Sequence, residues 1–401
     1  MKRNKLLLLC MLLLLPLFSG CLDAVSLDAY GYVLSIGVDE GETKTFNVSF
    51  LLQKEGTSQE SQTGAGSYVI GAEGNDLFEA VRIAHAGLPF ELNFSRVNFL
   101  LFSDAVASTG RMDEFLRFSF DLMKIRQSAK LLVVRGKCSD YLQGLSSADQ
   151  PNVAKRQYSY FRTYKTEGII MMTNLAVFRE AVMSGTFDAL VPAGEVDASI
   201  MPQQGVNTRK TDLPINENDT TGGVKRTGGL RSYLLESALF DGERLAGFID
   251  ADDTEVILMA CGDFERGHVT LQDTFGTTGF VLIAAGEPQV TLTLGDAPHA
   301  SVHVPLYAQI ELDTGNTAWN RWESELKAEI ETHLAEEMHR VFLQIRELNS
   351  DAMRFGTRAV KQFQSHDAWR DYAWKQKYKS MTADFSVTVM LSDRIISNRG
   401  D

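Results

Sequence analysis

Residues 302–312 read VHVPLYAQIEL, a stretch in which every second side chain is apolar. Alternation with a period of two places the apolar set on one face of a β-strand and the remaining side chains on the other. Apolar residues then recur at steps of three or four from Trp319 to Leu348, the pattern of a long amphipathic helix that buries one side. The C-terminal third therefore predicts a sheet with a helix packed against it, and Phe385 to Leu391 alternates as a closing strand.

The preceding segments alternate strand and helix patterns. Tyr32 to Val38 and Phe46 to Leu52 predict a strand pair. Asn75 or Asp76 is placed to cap the helix that follows, and Ser103 to cap a later one. Alternation of this kind predicts an α/β or α+β unit in the N-terminal part.

The middle of the chain is less periodic. Residues 202–229 are rich in Gly, Asn, Thr and Pro, which predicts an exposed loop or linker. Beyond it, Ser237 to Phe240 and Glu255 to Cys261 are interpreted as strands on either side of the Asp241-Gly242 turn.

The predicted fold class is a multidomain α+β protein with mixed or antiparallel sheets, packed helices and a long amphipathic helix in the C-terminal domain. We divide the chain into a leader and three folded regions. Their predicted bounds are 1–20 for a lipoprotein signal peptide, 21–200 for the N-terminal domain, 201–275 for a linker and middle sheet region, and 276–401 for the C-terminal domain.

The first residues carry the pattern of an exported lipoprotein. Lys2, Arg3 and Lys5 precede an apolar run that ends at Phe18, and Ser19-Gly20-Cys21 supplies small residues at a cleavage site. The run is shorter than the roughly 20 residues that a membrane-spanning helix needs. The tetrad Phe18 to Cys21 resembles a lipobox, which predicts that the Cys21 thiol carries a diacylglyceryl group and that two acyl chains attach the protein to the membrane.

The charge balance excludes one class of partner. Removal of residues 1–20 would leave 36 basic against 52 acidic residues. Nucleic-acid binding needs a face rich in Lys and Arg, and no such stripe is present, so the sequence predicts no nucleic-acid partner. An acidic surface is also not drawn to anionic lipid, so the acyl chains would have to hold the protein at the membrane.

Residues of the types that bind metal ions or act as nucleophiles are present, but their spacing does not match the known motifs. His333 and His339 lie 120° apart on a helix and do not form HExxH, and the group Asp250, Asp252 and Asp253 lacks the EF-hand pattern and is interpreted as a loose turn. No GxSxG nucleophile motif occurs. Cys138 and Cys261 are predicted to be buried thiols, with a disulfide as the alternative. We therefore predict no enzymatic activity, metal or cofactor.

Several segments resemble the spore germinant-receptor C subunits, the Ger(x)C lipoproteins. The resemblance covers nearly the whole chain and rests on residues 32–39 (YVLSIGVD), 77–81 (LFEAV), 94–110 and 126–142, and on Asp351, Phe355-Gly356, Trp369, Trp374, Val387 and Val389. The family usually has Trp after the lipidated Cys and His at the place of Arg96, whereas this chain has Leu22 and Arg96.

The resemblance implies a non-enzymatic subunit of a nutrient receptor that acts in spore germination. It implies assembly with integral membrane A-type and B-type subunits on the outer face of the spore's inner membrane, with Cys21 as the lipid anchor. The alternative hypothesis is a solute-binding lipoprotein of a transporter, which predicts two similar lobes around a ligand cleft. The long terminal helix and the lack of a repeated lobe pattern favour the receptor subunit.

Overall fold

Two β-sheets with packed helices make up the computed structural model of the chain. The structure describes residues 30–53, 67–123, 125–146, 159, 161–163, 166–196, 232–273, 276–313 and 323–392. The predicted linker, residues 202–229, lies outside the described residues, as does Cys21.

The first sheet has nine strands in the described residues, with β4 beside the end of β1 and the others in the order β3-β2-β1-β5-β6-β7-β8-β9. Its strands are β1 (Tyr30–Glu40), β2 (Phe46–Gln53), β3 (Ser67–Gly74), β4 (Glu91–Asn93), β5 (Phe99–Ser103), β6 (Lys130–Val134), β7 (Leu190–Val196), β8 (Ser232–Asp241) and β9 (Arg244–Asp250). The central strands β1, β5, β6 and β7 are parallel, and antiparallel pairs flank them on both sides. The sheet is therefore mixed, as predicted.

Helices connect the strands of the first sheet. They are α1 (Leu77–His85), α2 (Asp104–Ser108), α3 (Arg111–Met123), α4 (Cys138–Ser146) and α5 (Leu175–Ser184). The predicted caps are confirmed, because Asp76 accepts a hydrogen bond from the N–H of Glu79 at 2.8 Å and Ser103 accepts one from Val106 at 3.3 Å. Such side-chain acceptors satisfy amide groups that the first helical turn leaves unpaired.

Residues 251–261 form a helix, α6 (Ala251–Cys261), so the predicted strand from Glu255 to Cys261 is wrong. Asp250 accepts from the N–H of Asp253 at 2.8 Å and caps this helix, which also corrects the predicted loose turn. Because residues 253–260 are buried all round, no helical period is visible in the sequence. Gly262, with φ of 91°, ends the helix in the left-handed conformation that glycine adopts readily.

The second sheet has five strands in the described residues. They are β10 (Arg266–Asp273), β11 (Gly276–Ala284), β12 (Gln289–Thr293), β13 (His299–Asp313) and β14 (Thr382–Ser392). The central strand β13 is the predicted alternating segment, and Val302, Val304, Leu306 and Ala308 are all buried on one face. Strands β11 and β12 pair with it antiparallel, whereas β14 runs parallel along its other side.

The long helix α7 (Glu323–Glu347) packs beside β14 and buries the predicted stripe. The buried residues of this stripe are Leu326, Ile330, Leu334, Met338, Val341 and Ile345, while Leu348 is partly buried. Phe342, outside the predicted stripe, is buried as well. The predicted start of the helix, with Trp319 and Trp322, lies outside the described residues. Three shorter helices lead to the last strand, namely α8 (Gly356–Ala359), α9 (His366–Tyr372) and α10 (Trp374–Tyr378).

Helix α6 joins the two sheets into one body. It contacts β8 and β9 of the first sheet as well as α7 and β13. The apolar core around it combines Leu239 and Ile249 of the first sheet with Leu258, Phe280 and Phe342. The two sheets therefore share one apolar cluster around this helix.

Candidate functional site

A buried polar cluster lies where the two sheets meet, and its centre is Asp351. The chain leaves α7 through Asn349, which has φ of 55°, and then turns inward. The carboxylate of Asp351 is completely buried and accepts hydrogen bonds from the N–H of Phe355 at 2.8 Å and from that of Gly356 at 2.7 Å. The indole Nε1 of Trp374 donates to the same carboxylate at 3.0 Å. Buried carboxylates are stable only when their oxygens are satisfied in this way.

Asp188, two residues before β7, connects the cluster to the first sheet. Its carboxylate accepts from the backbone N–H of Asp351 at 2.7 Å and from that of Gly242, in the β8–β9 turn, at 2.8 Å. The ammonium of Lys375 donates to Asp188 and to the carbonyl O of Asn349, and it lies 2.8 Å from a carboxylate oxygen of Asp241. One cation on α10 thus balances two carboxylates, one just before β7 and one at the end of β8.

Gly356 allows these elements to approach closely. A Cβ atom at this position would overlap the carbonyl O of Thr186 and would lie 2.6 Å from Nε1 of Trp374. Neither the backbone nor the packed indole can move aside easily in a close-packed interior. The Phe355-Gly356 pair is therefore required by the contact between the two sheets.

The electrostatics of the cluster follow from its burial. Burial is the largest cause and raises the pKa of Asp351 to about 7, while the N–H of Gly356 lowers it and the carboxylate of Asp188 raises it further. Burial also raises the pKa of the Tyr378 hydroxyl, which donates to the carbonyl O of Ser350 at 2.9 Å. Hydrogen bonds hold these groups in place, so the cluster connects the segment before β7 to the segment that follows α7.

A second buried acid lies in α6. Burial raises the pKa of Glu255 to about 8, and the carboxylates of Asp252 and Glu167 add to this effect. Its Oε1 has no hydrogen-bond partner among the described residues, and Gly267 of β10 supplies the space that the carboxyl group occupies. A carboxyl in this position is stabilised in its neutral form.

The other residues noted in the sequence pack in the core or contact neighbouring groups of the protein. Trp369 and Trp374 are buried, and their rings stack with centroids 6.0 Å apart, so both belong to the core. His339 contacts the carbonyl O of Ala383 at 3.2 Å through Nδ1. Arg96, which departs from the family pattern, lies 3.8 Å above the ring of Tyr32.

The two predicted thiols are free cysteines, and no disulfide joins them in the described structure. Cys138 is fully buried, with its N–H donating to Asp39 at 2.7 Å, and Cys261 is partly buried at the end of α6. Burial raises the pKa of both thiols, to about 11 for Cys261. The prediction of buried thiols is therefore confirmed for Cys138 and only partly so for Cys261.

Sequence reasoning identified Asp351, Gly356 and Trp374 through the family resemblance but missed Asp188 and Lys375. Lys375 reaches Asp188 across 187 residues of chain, and such a pairing leaves no local period or motif. A single acid between Phe187 and the apolar residues Ala189 to Val191 is the one local signal that could have drawn attention to Asp188.

Two family models match successive regions of the chain. Residues 23–196 match the family model described as the spore germination protein N-terminal domain, and residues 236–394 match the one described as spore germination B3/GerAC like, C-terminal. No curated protein matches the sequence. The fold is similar to the crystal structure of the GerBC protein, with a TM-score of 0.52 at 13% identity, over 89% of this chain and 97% of that one.

Among the described residues, no helix has the length and apolar character needed to cross a membrane. The two family matches together span most of the chain, and the hydrogen bond between Asp188 and Asp351 joins one matched region to the other. The second match begins within β8, so most of β8 and all of β9, the last two strands of the first sheet, belong to it. The chain therefore belongs to the GerAC family of spore germination proteins, the C subunits of germinant receptors.

Proposed function

We propose that this chain is the lipid-anchored C subunit of a nutrient germinant receptor. In this proposal, Cys21 carries the acyl chains and the folded part lies on the outer face of the spore's inner membrane, where it assembles with integral membrane A-type and B-type subunits. The observation that carries the proposal is the pair of family matches, which together run from residue 23 to residue 394.

The position of the first strand supports the tether. Strand β1 begins at Tyr30, nine residues after Cys21. Nine residues span at most about 30 Å even when fully extended. An anchor at Cys21 would therefore keep the first residue of β1 within about 30 Å of the lipid surface.

The hypothesis of a solute-binding lipoprotein is not favoured by the architecture. It predicts two similar lobes, whereas the described sheets have nine and five strands in different orders. No second function is proposed.

Replacement of the anchor residue tests the proposal. We expect Cys21→Ala to move the protein from the membrane fraction to the soluble fraction of spore extracts, to remove A-type and B-type subunits from its co-purification, and to slow germination in nutrient. Cys10→Ala, within the predicted leader, is the matched control and should change none of these. Mass spectrometry of a mature chain without fatty acid at Cys21, or normal assembly of the Cys21→Ala variant, would refute the proposal.

A further inference from the structure

The outer edge of β14 has a backbone pattern that is open to another strand. The N–H of Thr382 donates to the carbonyl O of Pro298 at 2.9 Å, so Thr382 and every second residue after it face β13. The backbone groups of Ala383, Phe385, Val387 and Val389 consequently face the other way. In the described part of the chain, no strand pairs with β14 on that side.

Helix α7 runs antiparallel along this edge and covers its two ends. Glu331 accepts from the N–H of Val389 at 2.7 Å near one end, and His339 donates to the carbonyl O of Ala383 at 3.2 Å near the other. One residue before β14, Met381 also faces the helix, and its carbonyl O accepts from Arg346 at 2.9 Å. Between these contacts, the backbone N–H and C=O groups of Phe385 and Val387 face a groove between the helix and the strand.

The groove between α7 and β14 has a volume of about 800 Å³. On the helix side, Ala328, Thr332 and Ala335 line it with short side chains, which leave the space beside the strand edge unfilled. The interval from Ala383 to Val389 is about 20 Å long at 3.3 Å per residue, enough for a partner segment of several residues.

The charged groups around the groove are mainly acidic. Glu331, Glu336 and Asp384 line it, together with His339 and Arg340. The guanidinium of Arg340 is paired with Asp253 and with Glu337. Glu331 lies 3.6 Å from the ammonium of Lys327 and accepts from the N–H of Val389, and Asp384 lies 3.4 Å from Nε2 of His299. With these partners counted, the carboxylates at the groove still outnumber the Lys and Arg side chains, and Glu336 has no ion pair in the described part of the chain. The local field therefore favours a positively charged occupant.

We propose that this groove binds an extended basic segment of a partner protein, which adds as a further strand to the edge of β14 at Phe385 and Val387. Backbone hydrogen bonds supply the affinity in such strand addition, and the side chains around the edge select the partner. The inference rests on the proposed function in that it assigns one contact of the receptor subunit, but it requires neither the anchor at Cys21 nor a named partner.

The proposal can be tested with full-length chain in detergent and a synthetic peptide of seven residues that alternates lysine with valine. We expect binding with a Kd in the micromolar range, weakened at least about tenfold by alternate N-methyl groups that leave the peptide charge unchanged. Hydrogen exchange should show new protection at the amides of Phe385 and Val387, while the amides of Asp384 and Ser386 keep the protection that β13 already gives them.

Two variants with matched controls locate the site on the protein. Thr332→Trp fills the groove from an exposed helix position and should weaken peptide binding at least about tenfold, whereas Ser324→Trp, also an exposed hydroxyl position of α7 but outside the groove, should not. Glu336→Lys should weaken it about fivefold or more, and Glu347→Lys, exposed near the end of the helix, should have little effect.

Equal binding of the N-methylated peptide, or unchanged affinity in Thr332→Trp, would overturn the proposal. A dimer in sedimentation that dissociates on Thr332→Trp, without peptide binding, would assign the edge to a second copy of this chain and would also overturn it. Because the assay uses the chain without other subunits, its failure leaves the Cys21 fractionation result unaffected, and the two proposals fail separately.

Discussion

The carboxylate Oδ2 of Asp188 accepts a hydrogen bond of 2.7 Å from the backbone N–H of Asp351, 163 residues further along the chain. Asp188 lies in the N-terminal family match and Asp351 in the C-terminal one. Both carboxylates are buried. Within the described structure, that of Asp188 accepts only from groups of the C-terminal match, namely Asp351, Gly242 and Lys375, whereas that of Asp351 is satisfied within its own segment. Four predictions test this junction and the buried acid beside it.

Loss of the Lys375 ammonium should destabilise the protein. In Lys375→Met, the buried carboxylate of Asp188 keeps its N–H donors but loses its countercharge, which costs about 3 kcal/mol of unfolding free energy. Urea unfolding measures this change, with Lys379→Met at an exposed neighbouring position as the control. Equal stability of the two variants would show that the ion pair contributes nothing.

A side chain at position 356 should force the two halves apart. Gly356→Ala places a methyl group against Thr186 and Trp374, and we expect a loss of about 2 kcal/mol or more in unfolding free energy. Gly286→Ala is the matched control, since its Cβ would lie 3.7 Å from the nearest atom, a side-chain carbon of Pro305. A lowered melting temperature is expected for the first variant alone, and a wild-type value for Gly356→Ala would contradict the packing described.

The indole hydrogen bond to Asp351 should be measurable separately from ring packing. Trp374→Phe keeps an aromatic ring but removes the Nε1 donor, so it should cost about 1–2 kcal/mol more than Trp369→Phe. Trp369 provides the comparison because it stacks on Trp374 in the same core. Chemical denaturation of both variants gives the difference, and equal losses would argue against a contribution from the hydrogen bond.

The buried acid Glu255 should make stability fall as the pH rises. Its pKa is raised from 4.5 to about 8 in the folded chain. The folded state therefore retains a proton that the unfolded state has released, and stability present below pH 4.5 is lost as the pH rises through about 8.

Glu255→Gln, which mimics the protonated acid, should be more stable than the wild type by about 2 kcal/mol at alkaline pH and should match it at acid pH. Thermal unfolding across this pH range measures the effect, and Glu347→Gln at an exposed position serves as the control. A constant difference between Glu255→Gln and the wild type at all pH values would rule out titration of this carboxyl.

Local patterns in the sequence predicted the elements whose two sides differ in environment. Strand β13 and helix α7 each have one buried and one exposed side, so their periods of two and of three to four residues are visible. Helix α6 is buried on all sides between the sheets, and its apolar run from Val256 to Ala260 was therefore mistaken for a strand. The error arose where the two sheets meet, because burial on every side removes the polar positions that mark a helix.

The residues of the buried cluster that could be predicted are those that lie close together in the sequence. Asp351, Gly356 and Trp374 lie within 24 residues and form a recognisable motif. Asp188 and Lys375 belong to the cluster only through the folded chain, since each is an ordinary polar residue in its own segment. Their pairing depends on the packing of α6 against both sheets, which local sequence does not encode.

Cys138 and Cys261 place two thiols of different accessibility at different sites in the molecule. Cys138 lies within α4 against the first sheet, and Cys261 ends the helix that packs on the second. Alkylating reagents attack the thiolate, which burial suppresses at both positions. Labelling of the buried Cys138 under native conditions therefore requires its region to open, and the labelling rate records how often this happens. The partly buried Cys261, at the end of the helix between the sheets, supplies the more accessible reference in the same peptide map.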